Sequence, residues 1–282
     1  GPTDLVARVL AQKMSDQMGQ QVVIDNKPGA NGNIAAELVA KAPADGYTLL
    51  YNTSSIALSA TLYKKLNYDV KTDFAPIALT AVIPLVLMVH PSVPANNLQE
   101  FVQHVKANPG KVSYGSAGNG NITHLGAYLL LQQKGLQANH IPYKGSIPAL
   151  TDLVGGQLQG THTTTVSGES VIKGKRVRVI GIASPKRSPL LPDVPTLAES
   201  GFKDAESLVW FGMAGPLKLP RAIVDTLNRE VNRALTLPEV RKRLDELGLE
   251  IQGGSPEDMN KFVKSEIAKI ERLVKMGYLK VE

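Results

Sequence analysis

From Gln21 to Ala214, short apolar or β-branched runs alternate with segments of helical spacing, separated by Gly, Pro, Asn or Asp. A chain patterned this way has few outlets. Each strand must bury a face against helices, so the layers are those of an α/β protein with a mainly parallel sheet. Leu5, Val6, Val9, Leu10, Met14 and Met18 predict a first helix, with Thr3 or Asp4 as N-cap and Gly19 as its stop. Strands are predicted over Gln21–Asp25 and Tyr47–Tyr51, with a helix over Asn33–Ala42 between them. An α/β domain normally feeds its first helix from a strand, so residues upstream of Gly1 are expected.

A long apolar stretch, Ala75–Val89, reads as extended, and Leu98–Asn108 as a helix stopped by Pro109-Gly110. A second α/β series follows. Its strands are Lys111–Tyr114, Asn139–Pro142, Leu158–Thr163 and Val177–Ala183, and its helices are Asn121–Lys134 and Ile147–Gly155. Leu208–Ala214 is extended and carries the single tryptophan, Trp210. After Pro220 the pattern changes to three amphipathic helices, Arg221–Leu235, Pro238–Leu247 and Pro256–Met276. Pro220, Pro238 and Pro256 each stand near a helix start, where a missing N–H costs little. A helical tail after two α/β series is expected to pack back onto the first of them. Residues 1–85 and 216–282 would then form one lobe and 86–215 the other. The segments near 80–90 and 208–215 would cross between lobes as a double hinge.

Composition narrows function. No apolar run reaches the length that spans a bilayer as a helix. Cysteine is absent, which removes disulfides, thiolate catalysis and cysteine metal sites. His90, His104, His124, His140 and His162 show no metal-ligand spacing, and no cofactor motif appears. The net charge of +6 favours anionic ligands, but Lys and Arg are scattered and aromatics are only 5%, so nucleic acid is not an expected partner.

The sharpest local feature runs from Tyr114 to Leu125. Ser116-Ala117-Gly118-Asn119-Gly120-Asn121 follows a strand and opens a helix, where glycines and exposed amides suit an anion. It is not a dinucleotide loop, because Thr123 stands where a third glycine is needed and no acidic residue ends the next strand. It is not a nucleophile elbow, because Tyr114 stands where G-x-S-x-G needs glycine. Ser116 with His124 is the one hydrolase pairing to weigh, and His124 reads better as a capping or packing residue. Asn52-Thr53-Ser54-Ser55, Pro142-Tyr143-Lys144-Gly145 and Thr163-Thr164-Thr165-Val166-Ser167 also end strands, where ligands of open parallel sheets sit. These ends are rich in hydroxyls and amides and poor in charge. Gly29–Ile34 and Ala117–Ile122 look alike, and each opens a helix.

The chain resembles the Bug-type receptors of tripartite tricarboxylate transporters, a branch of the periplasmic binding proteins. The signposts are Gly1-Pro2-Thr3-Asp4-Leu5-Val6-Ala7-Arg8, Asp25-Asn26-Lys27-Pro28-Gly29-Ala30, Ala44-Asp45-Gly46-Tyr47-Thr48-Leu49-Leu50, Tyr114-Gly115-Ser116, Pro142-Tyr143-Lys144-Gly145, Leu191-Pro192-Asp193-Val194-Pro195-Thr196 and Trp210-Phe211-Gly212. The resemblance implies a type II-like, two-lobed Venus-flytrap architecture with a ligand held between the lobes. By the same resemblance, Pro2, Thr3 and Asp4 on one lobe and Ser116 to Asn121 on the other hold a ligand carboxylate, partly through water. Asp4 has the wrong sign to touch a carboxylate and is expected to orient amides instead. Asn121 and Gln159 depart from the common pattern and leave the ligand's identity open. The implied protein is a periplasmic, monomeric receptor, not an enzyme, with a small carboxylate and membrane permease subunits as partners. The competing readings are an effector domain of a transcription regulator and a serine hydrolase.

Overall fold

Two strands carry the chain between two compact units. They are β2 (Phe74–Val89) and β7 (Leu208–Pro216), and the units divide within them. One unit comprises Pro2–Val82 and Trp210–Glu282, the other Ile83–Val209. The divisions fall at 82/83 and 209/210, against the expected 85/86 and 215/216. The computed structural model describes residues 1–63, 65–203 and 205–276.

In the first unit, α1 (Pro2–Met18) begins at Pro2, so Thr3 and Asp4 are not caps but first-turn residues. The reason is that proline, with φ preset and no N–H to satisfy, is suited to the first helical position. Gly19, at φ 65°, ends the helix as expected. The helix α2 (Asn33–Ala40) follows a single 3₁₀ turn. Then come β1 (Leu50–Thr53) and α3 (Ser55–Leu62), a helix the sequence reading missed. Nearly all of α3 is buried, so it has no amphipathic stripe to betray it. The predicted strand over 21–25 does not form among the described residues. The segment has no ladder partner, and Val23 is 76% exposed.

After β7 come α8 (Arg221–Thr236), α9 (Pro238–Glu246), the two-residue β8 (Glu250–Ile251) and α10 (Pro256–Lys275). The tail packs back: α8 lies on α1 and α10 on α3. The seam on α8 is Val224, Leu227, Val231, Ala234 and Leu235, a stripe at helical spacing. Each large apolar side chain buried there contributes about 1.5–3 kcal/mol. The α10 start is fixed by a capping box between Ser255 and Asp258.

The sheets are less parallel than expected. In the first unit, β1 pairs with β7 and β2 with β8, both antiparallel. The second unit runs β6 (Arg178–Ile182), β2, β5 (Gly160–Thr164), β3 (Ser113–Ser116), β4 (Asn139–Pro142). Here β2 is antiparallel to β5 and β6, while β3 is parallel to β4 and β5. Periodicity reports which face of a strand is buried but not its direction. In β2, Pro84 lies between the ladder to β8, which uses Ala81 and Val82, and the ladder to β5, which starts at Leu85. A residue without an N–H fits at such a break. Helices α4 (Leu98–Ala107), α5 (Ile122–Gln132), α6 (Ser146–Val154) and α7 (Thr165–Lys173) complete this unit. Its core includes Val86, Met88, Leu153, Leu158 and Ile182.

Candidate functional site

Parallel pairing of β3 with β4 and β5 brings the carboxyl ends of three strands to one edge. Ser116 stands opposite Pro142, and Gly115 opposite Thr161. Each strand then feeds a helix: β3 into α5, β4 into α6 and β5 into α7. Three helix N-termini therefore open on this edge, and α6 and α7 pack together. The first amides of a helix have no intrahelical acceptor, and the aligned peptide dipoles add positive potential. No Asp or Glu occurs between Glu100 and Asp152. Asp152 itself accepts a 2.5 Å hydrogen bond from the Tyr143 hydroxyl.

The β3–α5 loop is tightly self-bonded. Asn121 caps α5 by accepting from the Thr123 amide at 3.1 Å. The Thr123 hydroxyl donates to Asn121 Oδ1 at 3.0 Å and accepts from the Ala117 amide at 2.9 Å. The Gly118 amide donates to Ser116 Oγ, the Gly120 amide to His124 Nδ1, and the Asn121 amide to the Gly118 carbonyl. Gly118 at φ 136° and Gly120 at φ 65° make this path possible. The Ser116–Asn121 amides are expected to face a ligand, and the structure shows which bonds four of them, Ala117, Gly118, Gly120 and Asn121, already make. In this conformation their N–H groups are used by the loop's own side chains and carbonyls. Asn119, at the tip, is exposed.

Below the loop lies an aromatic stack that sequence reasoning missed. His124 and His140 overlap at 3.8 Å between centroids and 5° between planes. Tyr114 stacks on the far side of His140, and Tyr128 meets His124 edge-on. Burial holds both imidazoles neutral, and His124 beside it helps push His140 down to about 4. His140 Nε2 lies 2.6 Å from Ser116 Oγ. The weighed pair of Ser116 with His124 is therefore wrong: the serine's imidazole partner is His140, and His124 receives the Gly120 amide. Ser116 is 1% exposed, so the dyad meets no substrate carbonyl in this conformation. The partnership spans 24 residues, which no local motif reports.

At the neighbouring strand ends, Thr164 caps α7 by accepting from the Ser167 amide at 3.2 Å. Thr165 opens that helix, and its buried hydroxyl has no partner. Thr163 donates to Ser146 Oγ at 3.1 Å. Ser146, the first residue of α6, was not singled out from sequence, although Gly145-Ser146 before Ile147-Pro148 is a helix-start signal. Lys144 is exposed beside it. Gln159 accepts from the Ser113 amide at 2.8 Å and so ties the opposite ends of β3 and β5.

In the other unit, Pro2, Thr3 and Asp4 form the first turn of α1. The Asp4 carboxylate is held by Arg8 at 3.0 Å and Asn26 at 2.7 Å, bonds that keep its pKa below the usual range. Thr53 Oγ1 accepts from the Ser55 amide, and Ser54 precedes α3 with its hydroxyl buried and unpartnered. Asn52 turns instead into a recess beneath α10. The look-alike segments do not share a geometry: α2 follows left-handed Gly32 with no side-chain cap, whereas α5 is capped by Asn121. No cluster of three metal-ligating side chains occurs among the described residues.

An α/β unit with hydroxyl-lined helix starts at the carboxyl edge of its strands, linked by two strands to a second α/β unit, is of the periplasmic-binding-protein class. The chain belongs to the tripartite tricarboxylate transporter receptor family, TctC, whose model matches residues 6–279. It is 39% identical over 275 residues to a UPF0065 protein from the tcbD–tcbE intergenic region of Pseudomonas sp. strain P51, covering 97% of this chain and 82% of that one. It is 35% identical over 269 residues to protein BugT of Bordetella pertussis, covering 95% and 82%. Among solved structures, the periplasmic binding protein BugD matches with TM-score 0.92 and 36% identity, covering 99% and 95%. An R. palustris protein with adipate matches with TM-score 0.93 and 36% identity, covering 98% and 92%. MatC from Rhodopseudomonas palustris with bound malate matches with TM-score 0.90 and 33% identity, covering 97% and 95%. The family is one of transporter receptors, and the matched BugD structure is a periplasmic binding protein.

Proposed function

We propose that this protein captures a small dicarboxylate in the periplasm, as a monomer, and presents it to the membrane permease subunits of a tripartite tricarboxylate transporter. One observation carries the reading. Three helix N-termini, lined by Ser116, Ser146, Thr164 and Thr165, open on a single sheet edge in a stretch without a free carboxylate. Such an edge offers neutral donors and positive dipole ends to an anion without burying a counter-charge. Ser116 to Asn121 form the rim of this site and supply donors by exchanging bonds the loop now makes to itself. Relatives with adipate and with malate indicate the ligand class. In the other unit, Pro2, Thr3 and Asp4, with Thr53 and Ser54, are proposed as a further recognition group. There Asp4, already held by Arg8 and Asn26, orients its neighbours and does not contact the anion.

The test is titration calorimetry and thermal unfolding with malate, adipate and a panel of other carboxylates. A micromolar ligand corresponds to about 8 kcal/mol. Ser146→Glu puts a carboxylate where the anion would sit, while an acidic residue at a helix start favours the helix itself. Binding is expected to weaken at least about tenfold, and the wild type should return its ligand chemically unchanged. A panel without a single binder, or a Ser146→Glu variant that binds as tightly as wild type, refutes the proposal.

A further inference from the structure

One bond of the β3–α5 loop differs in kind from its neighbours. The Gly120 amide donates to His124 Nδ1 at 3.3 Å, whereas the Ala117, Gly118 and Asn121 amides donate to hydroxyl or carbonyl oxygens. Those oxygens accept at any pH near neutral. An imidazole nitrogen accepts only while it is unprotonated, and in the imidazolium it becomes a donor. His124 is the third residue of α5 and so lies in its first turn. The half-burial of the ring and the positive end of the helix dipole both oppose a cation there, and the ring rests neutral with its proton on Nε2.

The groups around the ring leave it without a counter-charge. His140 of β4 lies flat against it at 3.8 Å, Tyr128 of α5 meets it edge-on, and Tyr114 of β3 closes the stack beyond His140. From β5, His162 faces α5 at Gly126, where Ser207 also approaches, next to the exposed Glu206. Exposed Lys144 precedes Gly145, whose amide donates to the Ala117 carbonyl at 3.3 Å. No Asp or Glu occurs between Glu100 and Asp152, so β3, α5, β4 and the loops between them bring no carboxylate. At this separation the two imidazoles do not both ionise, and the stack takes up a single proton at most.

We propose that His124 is a positioning residue for anion capture: when a carboxylate reaches the start of α5, His124 Nδ1 takes a proton from solvent and releases the Gly120 amide to the anion. The inference rests on the carboxylate site of the proposed function and names the bond exchanged there. The Nε2 proton stays in place, so the ring passes from neutral to singly positive and offsets one negative charge of the ligand. The carboxylate supplies the counter-charge that the stack lacks, and the ring is more basic in the complex than in the free protein. The complex therefore holds more protons than the free protein, and affinity rises as pH falls through the range between the two midpoints. For a single proton the gain is at most about tenfold per pH unit.

Titration calorimetry of the full chain with adipate and with malate at pH 6.5, in PIPES and in Bis-Tris, reads proton uptake from the difference in heat between the buffers. Up to about one proton per ligand is expected, and the dissociation constant should fall at least about threefold from pH 7.5 to 6.0. His124→Gln still offers Gly120 an acceptor but takes up no proton. It should bind without uptake and with a nearly flat pH dependence. A second reading needs no variant: in imidazole ¹⁵N spectra of the wild type, one of the five histidine rings should titrate at higher pH once the ligand is bound. Binding with no uptake and no shifted ring, or uptake undiminished in His124→Gln, overturns the inference and leaves the carboxylate site standing. If neither acid nor any other carboxylate binds, the site itself is refuted and the role of His124 falls with it.

Discussion

Replacing His162 by leucine is expected to flatten the acid side of the stability curve. His162 lies in β5 at 0% exposure, and neither ring nitrogen has a hydrogen-bond partner. Burial pushes its pKa down to about 4, an effect the nearby Gly126 backbone only partly offsets. In the unfolded chain an imidazole titrates near 6.5. Between pH 6.5 and 4 the unfolded state therefore takes up a proton that the folded state refuses. Stability is intact above pH 6.5 and is lost progressively as pH falls to about 4. The full term is on the order of 3 kcal/mol, and roughly three quarters of it is gone by pH 4.5. His140, also near 4, adds a second term of the same sign that the substitution leaves in place. Urea unfolding of wild type and His162→Leu at pH 7.5, 6.0, 5.0 and 4.5 measures the difference. The variant should lose about 2–3 kcal/mol less than wild type across this range. At pH 7.5 it should be at least as stable, because two unpartnered buried nitrogens are gone. Parallel pH dependences in the two proteins would refute the reasoning, since His162 would then ionise alike in both states.

Gly126→Ala sets a methyl group 2.6 Å from His162 Nδ1 and 3.0 Å from Ser207 Oγ. It should cost about 1–3 kcal/mol in denaturant melts, and pairing it with His162→Val should restore much of that. Asn97→Ala removes the α4 cap, whose side chain accepts from the Glu100 amide at 2.9 Å, and should cost about 1 kcal/mol in the same assay. Lys173→Ala breaks only an exposed pair with Glu169 and should leave the melting midpoint unchanged within error.

The helical tail was legible because each of its three helices has a proline at or just before its first residue and carries a clear apolar stripe. The Asn121 start of α5 and the strand Asn139–Pro142 were legible for similar local reasons. Helices α3 and α7 were not. Thr53-Ser54-Ser55 and Thr163-Thr164-Thr165 read as strand exits, although the same hydroxyls are good helix caps, and Thr164 acts as one. The stretch 21–25 has strand-like residues, but a strand needs a neighbour, and that is a tertiary fact. At the site, the loop was found from its glycines and position. Its internal bonding and the Ser116–His140–His124 stack depend on β3 lying beside β4, which only the register reveals.

The long strand β2 has a consequence for how the chain is made. From Ala75 to Val89 it carries no charged residue, and nearly all of it is buried in the finished protein. Its sheet neighbours β5, β6, β7 and β8 begin only at residues 160, 178, 208 and 250. A ribosome therefore releases this ribbon well before the segments that will shield it. During that interval an uncharged apolar ribbon of this kind is prone to aggregate. Pro84, seated at the break between its two ladders, interrupts the stretch and limits its self-pairing at no cost to the native sheet.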